Sequence, residues 1–251
     1  MPGPNASEKA KSLEDQARER SERVRTIDQF FADAEAWEKR QEGSPVVPAW
    51  EAMLPVVRGE LPLVVHAQGL REIRAALKWS AAHPRLRLIL EGGRDAWMLA
   101  GELAQRKIPV IYSEIFTLPG QSSDAYDVQF RAPSLLEKAG VTVAISESNG
   151  KSASSQRNLP YSAAQAAAFG FSREAALAAI TLIPARLHGV GDMLGSIEPG
   201  KEASLFAATG DILDIRSEVK RLWIAGAEQS LASRRTRLAD RYRARPVAAP
   251  K

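Results

Sequence analysis

The sequence contains no cysteine. That excludes disulfides, zinc ribbons and thiol catalysis. It also lacks any stretch of about 18 uninterrupted apolar residues, so no membrane-spanning helix is expected. The first residues, Met1-Pro2-Gly3-Pro4-Asn5, lead into charged positions without the apolar core of a signal peptide, and a cytoplasmic location is expected. Glycine and proline, 17 and 15 of 251 residues, are too few for a fibrous protein. With 45% hydrophobic and 25% charged residues the composition is that of an ordered globular chain.

The net charge of +4 is small and unevenly spread. Arg234, Arg235, Arg237, Arg241, Arg243 and Arg245 crowd the C-terminus against Asp240 alone. Such a tail suits nucleic acid or an anionic membrane surface. No aromatic interleaving accompanies it, which favours a solvated helix end. Neither a nucleic-acid nor a membrane partner is expected.

Residues 7–41, rich in Glu, Lys, Arg, Gln and Ala, predict a helix with one stripe of Ile27, Phe30, Phe31 and Ala34, and Gly43 to Pro48 ends it. From Leu61 short aliphatic runs alternate with helical stretches. The runs are Leu63–Val65, Leu86–Leu90, Ile108–Ile111 and Val141–Ile145; the helices are Leu70–Ala82, Ala96–Lys107 and Pro133–Ala139. Continuous apolar strands separated by helices indicate parallel βαβ units buried on both faces. A polar stretch from Leu118 to Arg131 precedes the last strand. After the loop 146–155, one helix opens at Pro160 and closes at Gly170, and a second opens at Ser172 as N-cap. Beyond Gly195, short strands near 204–208, 219–224 and 227–231 form a separate small element. Gly92-Gly93 permits a tight strand-to-helix turn, with Asp95 as the helix N-cap; it lacks the spacing of a phosphate-binding loop.

Leu194-Gly195-Ser196-Ile197-Glu198-Pro199-Gly200-Lys201 resembles the post-barrel motif of the amidohydrolase superfamily, and Ala176 to Ala185 resembles its last barrel helix. Arg157-Asn158-Leu159-Pro160-Tyr161 and Val65-His66-Ala67 resemble further segments of its imidazolonepropionase-like branch. The likeness runs from Leu61 to Leu231. It implies an α/β fold: the C-terminal half of a TIM (β/α)8-type barrel, strands equivalent to the fifth to eighth, followed by short strands of a small β-sandwich. The length alone suits a whole barrel of about 250 residues, yet only four strands are present. The implied division is a charged helix and linker at 1–43, the half-barrel at 44–200, return strands at 201–231 and an Arg-rich tail at 232–251.

The superfamily binds metal at the C-terminal ends of barrel strands. An HxH pair lies on the first strand, a carboxylated Lys or Glu on the fourth, single His residues on the fifth and sixth, and an Asp on the eighth. By that resemblance His66 holds the fifth-strand position and is the metal candidate, with Glu91 and Glu147 as further ones. Where the family has Glu-His-Gly this chain reads Glu91-Gly92-Gly93, so Gly92 replaces the histidine. At the eighth strand Ser146-Glu147-Ser148 replaces the expected Ser-Asp or Thr-Asp, making Glu147 and Ser148 the catalytic candidates. The resemblance implies a divalent metal, zinc or similar. Catalytic zinc uses about three protein ligands, and one imidazole does not hold it firmly; in this chain the metal is expected to be weak or absent. No organic cofactor is expected. His66 reads equally well as a structural residue, while His83 in a turn and His188 at a helix end read as structural. Glu91, Glu114 and Glu147 stand at strand ends, where pairing with Arg94 and Arg157 competes with ligand binding.

Half a barrel leaves bare strand edges, which a closed barrel does not have. A partner chain carrying the missing N-terminal half-barrel, or a second copy in a homo-oligomer, is the expected remedy. The resemblance implies hydrolysis of a non-peptide C–N bond in a small-molecule substrate of cyclic amide type, with a degenerate site in a truncated barrel that is incomplete or inactive alone. The alternatives are a non-catalytic binding or scaffold subunit and, through the tail, a nucleic-acid-binding protein.

Overall fold

The computed structural model describes residues 12–41, 43, 45–147 and 153–245. Contacts divide the chain into two units after Pro62, with the turn His83–Arg87 belonging to the first.

In the first unit, α1 (Leu13–Glu38) packs on α2 (Pro48–Val57). The hydroxyl of Ser12 accepts the Asp15 N–H and caps α1, and Asp15 suits the positive end of the helix dipole. Phe31, Ala34, Leu54 and Val57 supply the buried stripe. The helix predicted over 7–41 is thus shorter at its end, and residues 7–11 lie outside the described residues. Pro48, read as part of a terminator, instead starts α2, because a proline in the first turn loses no helical hydrogen bond. Glu38 accepts two bonds from Arg85, 2.9 and 3.0 Å, and one from Arg58 at 3.2 Å, which holds its carboxyl below the usual range. His83 lies 3.5 Å from Asp28 and packs its ring at a tilt against Phe31.

In the second unit, β1 (Pro62–Ala67), α3 (Leu70–Ala81), β2 (Arg87–Gly92), α4 (Ala100–Gln105), β3 (Val110–Tyr112), α5 (Val128–Lys138) and β4 (Val143–Ile145) alternate. The sheet order is β1-β2-β3-β4, with β2–β3 and β3–β4 parallel. Leu90 pairs with Val110 and Val110 with Val143; one turn of pleat on, Gly92 pairs with Tyr112 and Tyr112 with Ile145. These rows join Ile73, Leu77, Leu103 and Leu136 of the helices in one core. At about 25 cal/mol per Å² of apolar area, this helix-facing layer is what holds the sheet to its helices.

Two strands begin later than predicted for one reason. Ile108 donates its N–H to Leu103 O and Val141 to Leu136 O, so each closes the preceding helix instead of starting its strand. Lys107 at φ 53° and Gly140 at φ 88° make those turns. Helix α5 starts at Val128, five residues before the predicted Pro133, which sits inside it. The predicted helix at 96–107 is a 3-10 turn over Ala96–Leu99 followed by α4.

After β4, a 3-10 turn (Ala153–Asn158) leads into α6 (Leu159–Ala168). The helix predicted from Ser172 divides into α7 (Arg173–Ala178) and α8 (Leu182–Leu187). Pro184 has no N–H for the carbonyl four residues back, so the two cannot fuse. The carbonyl of Ala179, the C-cap of α7, accepts the Ile145 N–H at 2.9 Å, on the side of β4 away from β3. A separate antiparallel sheet holds β5 (Leu205–Ala208), β6 (Val219–Ile224) and β7 (Ala227–Gln229). The turn Ala225-Gly226, both at positive φ, connects the last two. Last comes α9 (Arg234–Arg243), capped by Ser233, with no buried residue. Among the described residues no helix is long and apolar enough to cross a membrane.

Candidate functional site

The C-terminal ends of β1 to β4 present His66, Glu91, Glu114 and Glu147 within one region of the sheet. His66 and Glu91 share a face, with His66 Nδ1 3.6 Å from Glu91 Oε2. His66 is largely exposed. Glu114, two residues past β3, is buried and accepts hydrogen bonds from Gln68 Nε2 at 2.9 Å and from Ser113 Oγ at 3.1 Å. Glu147, two residues past β4, is buried and accepts a short hydrogen bond from Ser162 Oγ on α6. Ser148 lies outside the described residues.

Arg94 is ion-paired with Asp95 at 3.2 Å. Gln68 and Ser113 hydrogen-bond Glu114, and for Glu147 the donor is Ser162 and not the expected arginine. A neutral donor satisfies a buried carboxylate without desolvating a second charge. Asp95 is also not the cap of its own helix: its Oδ2 accepts the Leu70 N–H at 3.0 Å and so caps α3. Glu72 completes that cap by accepting N–H groups of Gln68 at 2.8 Å and Gly69 at 3.2 Å. Those two backbone donors, Gln68 first, hold its carboxyl below the usual range.

Gly92 and Gly93 sit at φ 95° and 71°, which confirms the tight turn. Beneath the mouth, Tyr112 donates to Gln129 Oε1, and burial pushes its phenol well above the usual range. The post-barrel motif has a structural job. Lys201 Nζ donates to Gly191 O at 2.7 Å and to Ser196 Oγ at 2.6 Å. Gly195, at φ 93°, lies where a Cβ would fall 2.8 Å from Leu182 Cα. His188 ends α8 as read. The arginines of α9 are exposed, as a solvated helix end requires.

A divalent ion does not fit the donors that the described residues provide at these strand ends. Among the described residues, no three His, Asp or Glu side chains gather where they could hold one ion. His66 is paired to Glu91, Gly92 brings no donor, and Glu114 and Glu147 already accept protein hydrogen bonds.

Sequence reasoning missed Gln68, Ser162 and the capping role of Asp95. The double glycine was the one signal for the first, since adjacent glycines mark a close approach of another group. Nothing in the sequence linked Ser162 to Glu147.

Residues 105–228 match the model of the amidohydrolase family. An amidohydrolase from Thermotoga maritima MSB8 superposes with a TM-score of 0.72 at 27% identity, over 82% of this chain and 55% of that one. An adenosine deaminase from Xanthomonas campestris with bound zinc gives 0.50 at 21% identity, over 86% and 61%. A prolidase complexed with N-methylphosphonate-L-proline gives 0.52 at 16% identity, over 72% and 48%. None of the curated proteins matches. The chain spans about half the length of the solved structures it resembles. Its four-stranded α/β sheet, the small antiparallel sheet after it and the family match over 105–228 together make this chain similar to part of an amidohydrolase-superfamily barrel.

Proposed function

We propose that this chain supplies the C-terminal half of an amidohydrolase-type barrel. Hydrolysis of a non-peptide C–N bond in a small cyclic amide then requires a second half-barrel carrying the remaining ligands. One observation carries the reading: at the strand ends, the side chains of His66, Glu91, Glu114 and Glu147 are engaged with each other or with neutral donors. A hydrolytic metal centre needs an ion and a carboxylate free to take a proton from its bound water. Neither Glu114 nor Glu147 is free in that sense.

The test combines metal analysis with an assay on a cyclic amide such as a hydantoin. The chain is measured alone and after co-expression with a polypeptide carrying four strands and an HxH pair. Background hydrolysis alone, and metal-dependent turnover in the pair, are expected. Turnover by the chain alone that His66→Ala abolishes would overturn the need for a partner. Less than about one tenth of a metal equivalent in both samples removes the hydrolase reading.

A second reading, a non-catalytic binding subunit, is favoured by Gly92. A lost ligand at a position that still had room would be a simple gap, whereas this position is filled from elsewhere. Tight association with the co-expressed half, without metal in the complex, distinguishes it.

A further inference from the structure

Gln68 stands two residues beyond His66, past the end of β1, and both ends of its carboxamide are used. Nε2 donates to Glu114 Oε1 at 2.9 Å and lies 3.5 Å from His66 Nε2. Oε1 accepts the Arg94 backbone N–H at 3.3 Å. The backbone of Gln68 is fixed as well, its N–H on Glu72 and its carbonyl accepting from Asp95 at 3.0 Å. This carboxamide lies against Gly92. A Cβ at that position would fall 2.7 Å from Gln68 Nε2, 2.8 Å from Cδ and 2.9 Å from Oε1. The φ of 95° opposes a side chain there independently.

We infer that Gln68 and Gly92 form a reciprocal pair in which the Gln68 carboxamide takes the space and the organising role of the ligand missing from β2. Gly92 makes room for the amide, which holds Glu114 by a neutral hydrogen bond; a side chain at 92 would push the amide out of its bonds to Glu114 and the Arg94 backbone. The mouth is therefore ordered by a carboxamide bridge from β1 to the end of β3. A histidine at 92 does not by itself give a metal site, because its Cβ must push the Gln68 carboxamide aside and adopt a φ of 95°. The inference rests on reading these strand ends as the mouth of an amidohydrolase-type half-barrel, but none of its readouts is hydrolysis, so the two fail separately.

The test is a cycle on the full chain: wild type, Gly92→Ala, Gln68→Ala and the double variant, compared by thermal unfolding. Gly92→Ala is expected to lower Tm by more than about 4 °C in the wild-type background, since contact and backbone strain add. In the Gln68→Ala background only the strain is left, and the loss should fall to about half. Equal losses in both backgrounds overturn the pairing. Should Gly92→Ala not fold, Gln68→Glu keeps the shape but puts a carboxylate against Glu114 without a donor. It is expected to lower Tm more than Gln68→Ala at neutral pH, and wild-type stability in that variant overturns the bridge. In a separate arm, Gly92→His is soaked in excess zinc and desalted. It should retain no more zinc than wild type; a stoichiometric gain with Gln68 intact overturns the inference.

Discussion

At the scale of single residues, the buried carboxylates decide what this sheet end tolerates. Glu147 is sealed from water and accepts a hydrogen bond from Ser162, itself fully buried. Removing the donor leaves the carboxylate desolvated without compensation, a cost of about 1–3 kcal/mol. Ser162→Ala is therefore expected to lower the unfolding free energy by that amount, read as a lower urea midpoint at unchanged slope. An unchanged midpoint would show that Glu147 has found another donor. Glu147 was legible in the sequence because it follows an apolar strand run. Its partner was not, because Ser162 lies on α6 and looks like any small polar residue of an alanine-rich helix. Arginine pairing was the wrong expectation there: a short hydroxyl fits beside a buried strand end where a guanidinium would have to be desolvated.

At the scale of elements, the helix ends share one device. Ile108, Val141, Phe171 and Val190 each return an N–H to the residue five positions back, after Lys107, Gly140, Gly170 and Gly189 at positive φ. Three of these turns use glycine and one uses lysine, which carries the Cβ penalty of the left-handed region. Lys107→Gly is expected to stabilise the protein by about 0.5–1 kcal/mol, measured by urea unfolding. A loss would mean that the lysine stem packs on something that matters more. At the other end of a helix, Glu72 caps α3 and its folded carboxyl titrates below the usual value. A group of that kind contributes stability above its unfolded pKa, about 4.3, and loses the contribution as pH falls through its lowered folded value. Glu72→Gln should cost roughly 1 kcal/mol at pH 7. The gap between wild type and variant should close below about pH 4; a gap constant to pH 3 contradicts the assignment. The alternation of strands and helices was visible in the sequence. The starts of β3 and β4 were not, because an apolar residue that closes a helix and one that opens a strand look alike.

At the scale of the molecule, the sheet has four strands where a closed barrel has eight, and β1 is outermost. Leu63-Val64-Val65 reads as a strand buried on both faces. Leu63 and Val65 do pack against the core, but Val64 is 41% exposed. An apolar edge of this kind invites pairing with another chain. Sedimentation is expected to show association that grows with concentration. Val64→Lys should reduce it while leaving Tm within about 2 °C, as for a surface change. Unaltered association in that variant places the contact elsewhere. The length that suited a whole barrel is instead a helical pair, half a barrel, a small separate sheet and a basic helix.

The sequence by itself determined the α/β alternation, the glycine turn after β2, the separate return strands and the absence of thiol chemistry. All of these follow from local periodicity, from backbone freedom or from composition. Tertiary structure alone decided which group meets each carboxylate. Gln68 reaches Glu114 across 46 positions, Asp95 caps a helix 25 positions earlier, and Ser162 meets Glu147 across 15. Hydrogen bonds over such separations depend on how strand ends and loops are placed side by side, and no repeat in the chain records that placement.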